Sequence, residues 1–290
     1  MFDNIFAAIE KWMRELLTGM VESNMSTMFT DVNEKTSEIA ALVGRTPQNW
    51  NSSVFSMIQN LSESVVVPIA GIIITLVLCY ELISMLTERN NLHDVDTWMF
   101  FKYFVKAWVA IYLVSNTFTI TMAVFDVGQS VVNSASGIIN GETAIDVSSL
   151  SMQMQAAMAT MEIGELVVLA LETFLVSFCM KIMSVVITVI VYGRMIEIYL
   201  YTSLAPIPFA TMSNREWGHV GTNYFRGLFA LAFQAFLMMV CVAIYAALIS
   251  SVRISSNMHS ALIGVAAYTV ILCFSLMKTG SLSKQIFGSH

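Results

Sequence analysis

The chain has 290 residues, 57% of them hydrophobic and only 12% charged. Water-soluble domains carry about 25% charged residues, so this composition excludes an ordinary soluble domain and points to a protein built for lipid. The net charge of −6 excludes a strongly basic nucleic-acid surface.

Phe2, Ile5, Phe6, Ile9, Trp12, Met13, Leu16 and Met20 recur at three- and four-residue spacing, with Asp3, Asn4, Lys11, Arg14 and Glu15 between them. This predicts an amphipathic helix and not a signal peptide. Such a helix lies in the membrane interface, on a partner, or on the rest of the chain. Thr46-Pro47-Gln48 reads as a helix start, because proline is tolerated in the first turn. Trp50, Val54, Met57, Ile58 and Leu61 then form a second apolar stripe. Residues 1–62 are expected to be an amphipathic region of two or three short helices, extracellular or interfacial.

Residues 63–280 read as a transmembrane helical domain. Apolar runs at 65–86, 100–125, 165–192, 227–250 and 257–277 are each near the ~20 residues that cross a bilayer. Pro68 falls in the first turn of the first run. An outer loop, 126–162, separates the second and third runs and carries a Met/Ala-rich stretch, "SSLSMQMQAAMATMEIGE". After the third run comes "YLYTSLAPIPFATMSNREW", in which Pro206 and Pro208 cannot sit inside an undisturbed helix. The halves of the chain show no repeat, so an inverted-repeat transporter is not supported. Residues 281–290 are left as a tail. The fold class is all-α and polytopic, with about five transmembrane helices, N-terminal amphipathic helices and a proline-broken re-entrant or interfacial segment.

Positive charge orients the spans. Arg89, Lys102 and Lys106 flank the first loop, whereas 107–180 holds no Lys or Arg. The first loop is then cytoplasmic and 126–162 is outside. If the proline segment does not cross, Arg194, Arg215, Arg226, Lys278 and Lys284 all gather on the inner side, and only Arg253 lies in an outer loop. That gives five spans, the N-terminus outside, the C-terminus cytoplasmic and 194–226 as an inner segment. A full crossing would give six.

Glu81, Glu172 and Lys181 stand within apolar runs, where a lone charge costs at least ~2.5 kcal/mol and must find a partner or water. Glu172 and Lys181 point to different helix faces, so Lys181 would take Glu81 or Glu197 instead. The charges are either structural ion pairs or an ion or proton path. Arg194 and Glu197, three residues apart, share a helix face at the cytoplasmic border. The prolines are expected to free backbone carbonyls beside them, forming an inner-face contact with another subunit or a cytoplasmic partner. The alternative is a simple bend between packed helices.

Catalytic signatures are absent: there is no GxGxxG, Walker loop, HExxH or GxSxG. Cys79, Cys179, Cys241 and Cys273 lie in apolar runs without CxxC spacing and read as small hydrophobes, and the 21 Met read as packing residues. His93, His219, His259 and His290 are scattered; His93, Asp94 and Asp96 suit a helix cap or a bound cation. No enzyme activity, cofactor or metal is expected.

Three stretches, "WNSSVFSMIQNLSESVVVPIAGIIITLVLCYELISML", "HDVDTWMFFKYFVKAWVAIYLVSNTFTITMAVFDVGQSVV" and "YGRMIEIYLYTSLAPIPFATM", together resemble TrbL-like conjugal transfer proteins. The similarity is to the branch carried by integrative conjugative elements of Gram-positive anaerobes and covers 47–280. It implies a polytopic channel component of a type IV secretion system in the bacterial cell membrane. Such a component helps to pass single-stranded DNA with its bound relaxase, alongside secretion and coupling ATPases and as a homo-oligomer. The resemblance brings no catalytic residues. Its most recognisable stretch runs from Arg194 to Met212 and marks Arg194, Glu197, Pro206 and Pro208. The chain lacks the large soluble domain of the bigger relatives. The rival reading is a stand-alone transporter or ion channel using Glu81, Glu172 and Lys181.

Overall fold

The computed structural model describes residues 2–87, 97–139, 147–252 and 258–289. His93, Asp94 and Asp96 lie outside the described residues, as do Arg89, Arg253 and His290. The regular elements among the described residues are all helical, as the composition demands. They are α1 (Phe2–Val43), α2 (Pro47–Trp50), α3 (Ser52–Leu61), a π-helical turn (Ser62–Val66), α4 (Val67–Thr87), α5 (Thr97–Ser115) and α6 (Thr117–Ile139). There follow α7 (Val147–Met158), α8 (Ile163–Ser203), α9 (Pro206–Thr211), α10 (Gly218–Ser250) and α11 (Met258–Phe287). Among the described residues, five stretches are long and apolar enough to cross a membrane: Ser52–Thr87, Thr97–Ser115, Ile163–Ser203, Gly218–Ser250 and Met258–Phe287.

Several boundaries differ from those read in the sequence. Residues 1–62 hold α1, α2 and α3, but α1 runs for 42 residues and is not a short helix, because Phe2–Val43 contains no proline and a single glycine, Gly19. The stop comes at Thr46, whose Oγ1 accepts the Asn49 N–H at 3.3 Å and caps α2, with Pro47 at its first position. Pro68 does not open a helix. It sits inside a continuous run, and the π turn before it lets the Val67 N–H reach back to the Ser62 carbonyl. The second span ends at Ser115. Asn116 and Thr117 bond back to the carbonyls of Tyr112 and Leu113 at 2.9 and 2.8 Å, a local competition that interrupts the helix. The part of the expected outer loop before Ile139 is therefore helix α6, and α11 absorbs most of the expected tail.

The chain divides into two compact units. The first comprises 1–43, 134–191 and 238–278. In it α1 packs on α7, and Arg14 Nη1 donates to the Met161 carbonyl at 2.7 Å. Val21, Met25, Met28 and Phe29 of α1 are buried, as are Met154 and Met158 of α7. The amphipathic N-terminal helix thus finds much of its partner in its own chain. Methionines fill this interior, as their flexible stems allow. Ile5, Phe6, Ile9 and Trp12 stay exposed.

The second unit comprises 44–133, 192–237 and 279–290. Ala70, Ile74 and Leu78 of α4, Ala110 and Val114 of α5, and Ala205, Phe209, Ala210 and Tyr224 form one buried cluster. Val124 and Phe125 of α6 pack with Met195 and Ile198 of α8 and with Leu228, Leu231 and Ala232 of α10. A further cluster joins Ile58, Phe118 and Tyr199.

Candidate functional site

The stretch with two prolines lies in the second unit. α8 ends at Ser203, and α9 restarts with Pro206 at its first position. In a straight helix the Thr202 and Leu204 carbonyls would accept from residues 206 and 208, which as prolines have no N–H. Both carbonyls are taken one residue earlier instead: Ala205 N donates to Thr202 O at 3.3 Å, and Ile207 N to Leu204 O at 3.2 Å. The expectation of freed carbonyls is therefore corrected, since tighter turns satisfy them. Nor is the segment an exposed ledge. Pro206, Phe209 and Ala210 are buried, α9 packs on α4 and α5, and burial of Phe209 alone stabilises by about 2 kcal/mol.

Tyrosines fasten both sides of the break. Tyr199 Oη donates to the Pro47 carbonyl at 2.6 Å. Tyr201 and Tyr224 stack at 4.4 Å and 7°, each donating to the other's backbone carbonyl at 3.1 and 2.7 Å. Beyond α9, Asn214 Oδ1 accepts from the N–H groups of Glu216 and Trp217 at 2.7 and 3.0 Å. Trp217 stacks on Tyr80 at 5.8 Å, and Tyr80 Oη donates to the Glu216 carboxylate at 3.1 Å.

A polar cluster ties α8, α10 and α11 together pairwise within this unit. Arg194 is only 6% exposed; its Nη2 donates to the Leu231 carbonyl at 3.3 Å, and its Nε and Nη1 have no partner among the described residues. Gln234 Nε2 donates to Thr279 Oγ1 at 3.4 Å, while Gln234 Oε1 is buried and unpaired. Ser283 Oγ donates to the Ala230 carbonyl at 2.5 Å. Lys284 Nζ pairs with Glu197 Oε1 at 3.0 Å. The expected Arg194/Glu197 pair at an exposed border is thus replaced. Arg194 turns inward, and Glu197 is engaged by a lysine from another helix, nearer in space than sequence spacing shows. Two cations around one carboxylate leave a positive surplus in this cluster.

Glu81 of α4 pairs with Lys106 of α5 at 2.5 Å. In the first unit Glu172 of α8 pairs with His259 of α11, and beside it Asn24 Nδ2 reaches Thr173 Oγ1 at 3.5 Å. A crevice in this unit is lined by Asp31, Thr36, Ser184, Tyr245 and Thr269 among apolar side chains. Glu81 and Glu197 have their own partners, so neither serves Lys181. Lys181 is exposed on α8. Among the described residues no three or more His, Cys, Asp or Glu gather where a metal ion could be held.

Sequence reasoning marked Glu81, Glu172 and Lys181 as charges needing company and read Arg194 with Glu197 as a border pair, but it did not name Lys106, His259 or Lys284 as the partners of Glu81, Glu172 and Glu197. It missed Lys284, Gln234, Thr279, Ser283 and His259. Lys106 had been read as a topology marker only. Their pairings span 25 to 87 residues of sequence, and no local pattern announces them.

A family model described as TrbL/VirB6 plasmid conjugal transfer like protein matches residues 32–206. The match takes in Glu81, Glu172, Lys181, Arg194, Glu197 and Pro206, and stops two residues short of Pro208. No curated protein and no solved structure matches the chain. The family match covers more than half of the chain and falls on a helical molecule with five candidate spans: the chain belongs to the TrbL/VirB6 plasmid conjugal transfer-like family, as a multi-pass membrane subunit of conjugal transfer.

Proposed function

We propose that the chain is a membrane-embedded channel or scaffold subunit of a type IV secretion machine, acting without catalysis. It contributes to the passage of single-stranded DNA with its relaxase across the bacterial cell membrane. The family match over residues 32–206 carries this reading. The pairing of Glu81 with Lys106 and of Glu172 with His259 gives these charges a structural use between helices that such a subunit requires. Its partners are other subunits of the machine, among them the secretion and coupling ATPases, together with further copies of itself. The N-terminus lies outside and the C-terminus in the cytoplasm. Within this reading Glu197, Pro206 and Pro208 help to set α8, α9 and α11 in the arrangement that the assembled machine uses, and Arg194 serves the assembled machine rather than the folding of the chain.

A deletion strain tests the function. Loss of the gene is expected to abolish DNA transfer in a mating assay while relaxase nicking continues, and a second copy in trans should restore transfer. Transfer at the parental rate without the gene would refute the reading.

A further inference from the structure

In the first unit α1 runs beside α8 in the same direction. Arg14 reaches the Met161 carbonyl just before α8, and Asn24 reaches Thr173 inside it. Further on, Asp31, Thr36 and Ile39 share a crevice with Met180, Ser184 and Ile187. The two helices keep step: the first pair is 147 residues apart and the second 149. The same offset carries Asp31 to Met180, the residue before Lys181. Asp31 also stands seven residues after Asn24, on the α1 face that meets α8.

Neither charge is engaged where it stands. Asp31 and Lys181 form no hydrogen bond or ion pair among the described residues. The hydroxyls lining the crevice give Asp31 little help. Thr36 and Thr269 donate to the carbonyls of Val32 and Val265, so Tyr245 Oη is the donor in its 2.8 Å contact with Thr269. The crevice holds about 20 Å³ of open space, room for one water-sized group such as an ammonium head. Lys181 sits at its edge. Of its neighbours one turn away, Ser177 is buried and Ser184 half-buried, whereas Phe178 and Val185 are exposed. From that border a flexible lysine stem can turn to the seam or to the lipid. Lys181 lies deep in a candidate span, Ile163–Ser203, where lone charges are costly and opposite ones pair with each other. We propose that the Lys181 ammonium turns into the crevice and pairs with the Asp31 carboxylate, fastening the polar helix α1 to a membrane-spanning helix. The pair is internal to the chain and does not rest on the channel reading.

The test uses the full chain, purified in detergent and in lipid nanodiscs. Asp31→Asn and Lys181→Met should each lower the melting temperature by about 3 °C. The double variant should lose little more than either single one, because the two changes remove one interaction. The charge swap, Asp31→Lys with Lys181→Asp, should recover most of the loss. Proximity is read separately, in a chain with its four cysteines replaced. A short bifunctional maleimide should join Asp31→Cys to Lys181→Cys within one molecule, as mass spectrometry of the linked α1 and α8 peptides would show. Asp31→Cys with Ile182→Cys, the next residue and an exposed one, should link at least tenfold less. Losses that add in the double variant, a Lys181→Met variant as stable as the parent, or equal linking of the two cysteine pairs would each overturn the proposal. So would a Lys181→Met loss seen only in nanodiscs with anionic lipid and unchanged by Asp31→Asn, which would give Lys181 to a lipid phosphate. If a charge variant does not fold, the cysteine pairs decide. DNA transfer is not the readout, so normal mating in the deletion strain would refute the proposed function and leave the ion pair standing.

Discussion

Among single residues, the charges decide most. Glu81 and Lys106 pair at 2.5 Å across α4 and α5, with side chains 24% and 41% exposed. Glu81→Ala and Lys106→Ala each leave one charge alone in an apolar setting, whereas the double change removes both. Thermal unfolding in detergent should show a coupling of about 1 kcal/mol, with the double variant losing less than the sum of the two. Strict additivity would mean that the pair adds nothing. Arg194 is the opposite case. It is 6% exposed and leaves two donors unpaired, so within the isolated chain it costs stability. Arg194→Met is expected to match or exceed the parent in melting temperature, by up to about 4 kcal/mol in stability, and to transfer DNA less well. A buried charge kept at a cost to folding points to work outside folding. A variant that unfolds early would show Arg194 to be a structural member of the cluster instead.

For the elements, close approaches of backbone set the packing. A Cβ on Gly221 would stand 2.5 Å from the Pro208 carbonyl oxygen and 2.1 Å from Met212 Cγ, so α10 can start beside α9 only with glycine there. Gly128 of α6 would meet the Ala232 carbonyl of α10 at 2.9 Å, a crossing of the small-residue kind common in membranes. Gly221→Ala should cost about 3 kcal/mol in thermal unfolding. Pro206→Ala with Pro208→Ala should cost only about 1–2 kcal/mol, mostly through the unfolded chain, because Phe209 and Ala210 hold α9 in the core. Equal losses would mean that the prolines themselves enforce the bend. Much of this level was legible beforehand. Spans of about 20 apolar residues, the Thr46-Pro47 start and the break at Pro206 all follow from local chemistry. The length of α1 was misread because amphipathic spacing shows a helix but not its end, and α6 because its first part continues the apolar run of the second span while Asp126, Gln129 and Asn133 make its second part resemble a loop. The cluster of Arg194, Gln234, Thr279 and Lys284 was illegible because it closes through space between helices far apart in sequence.

For the whole molecule, the remaining question is direction across the bilayer. α9 has six residues, about 9 Å of helix, far short of the ~30 Å hydrocarbon layer. It cannot carry the chain across, and the candidate spans among the described residues number five. An odd number puts the termini on opposite sides, and positive charge chooses which. Residues 107–180 hold no Lys or Arg, whereas Arg194, Arg215, Arg226, Lys278 and Lys284 cluster around the ends of the last three spans. The charge distribution thus predicts the α7 region outside and the α9–α10 turn inside. In a chain with its four cysteines replaced, Gln155→Cys on α7 and His219→Cys at the start of α10 both put a thiol at an exposed position. A membrane-impermeant maleimide added to intact cells should label Gln155→Cys and leave His219→Cys unlabelled until the membrane is opened. Labelling of both in intact cells would bring the proline segment to the outer face and require another crossing. The inverse pattern would reverse the molecule in the bilayer, with the positive cluster on the far side from the cytoplasmic ATPases it is proposed to meet.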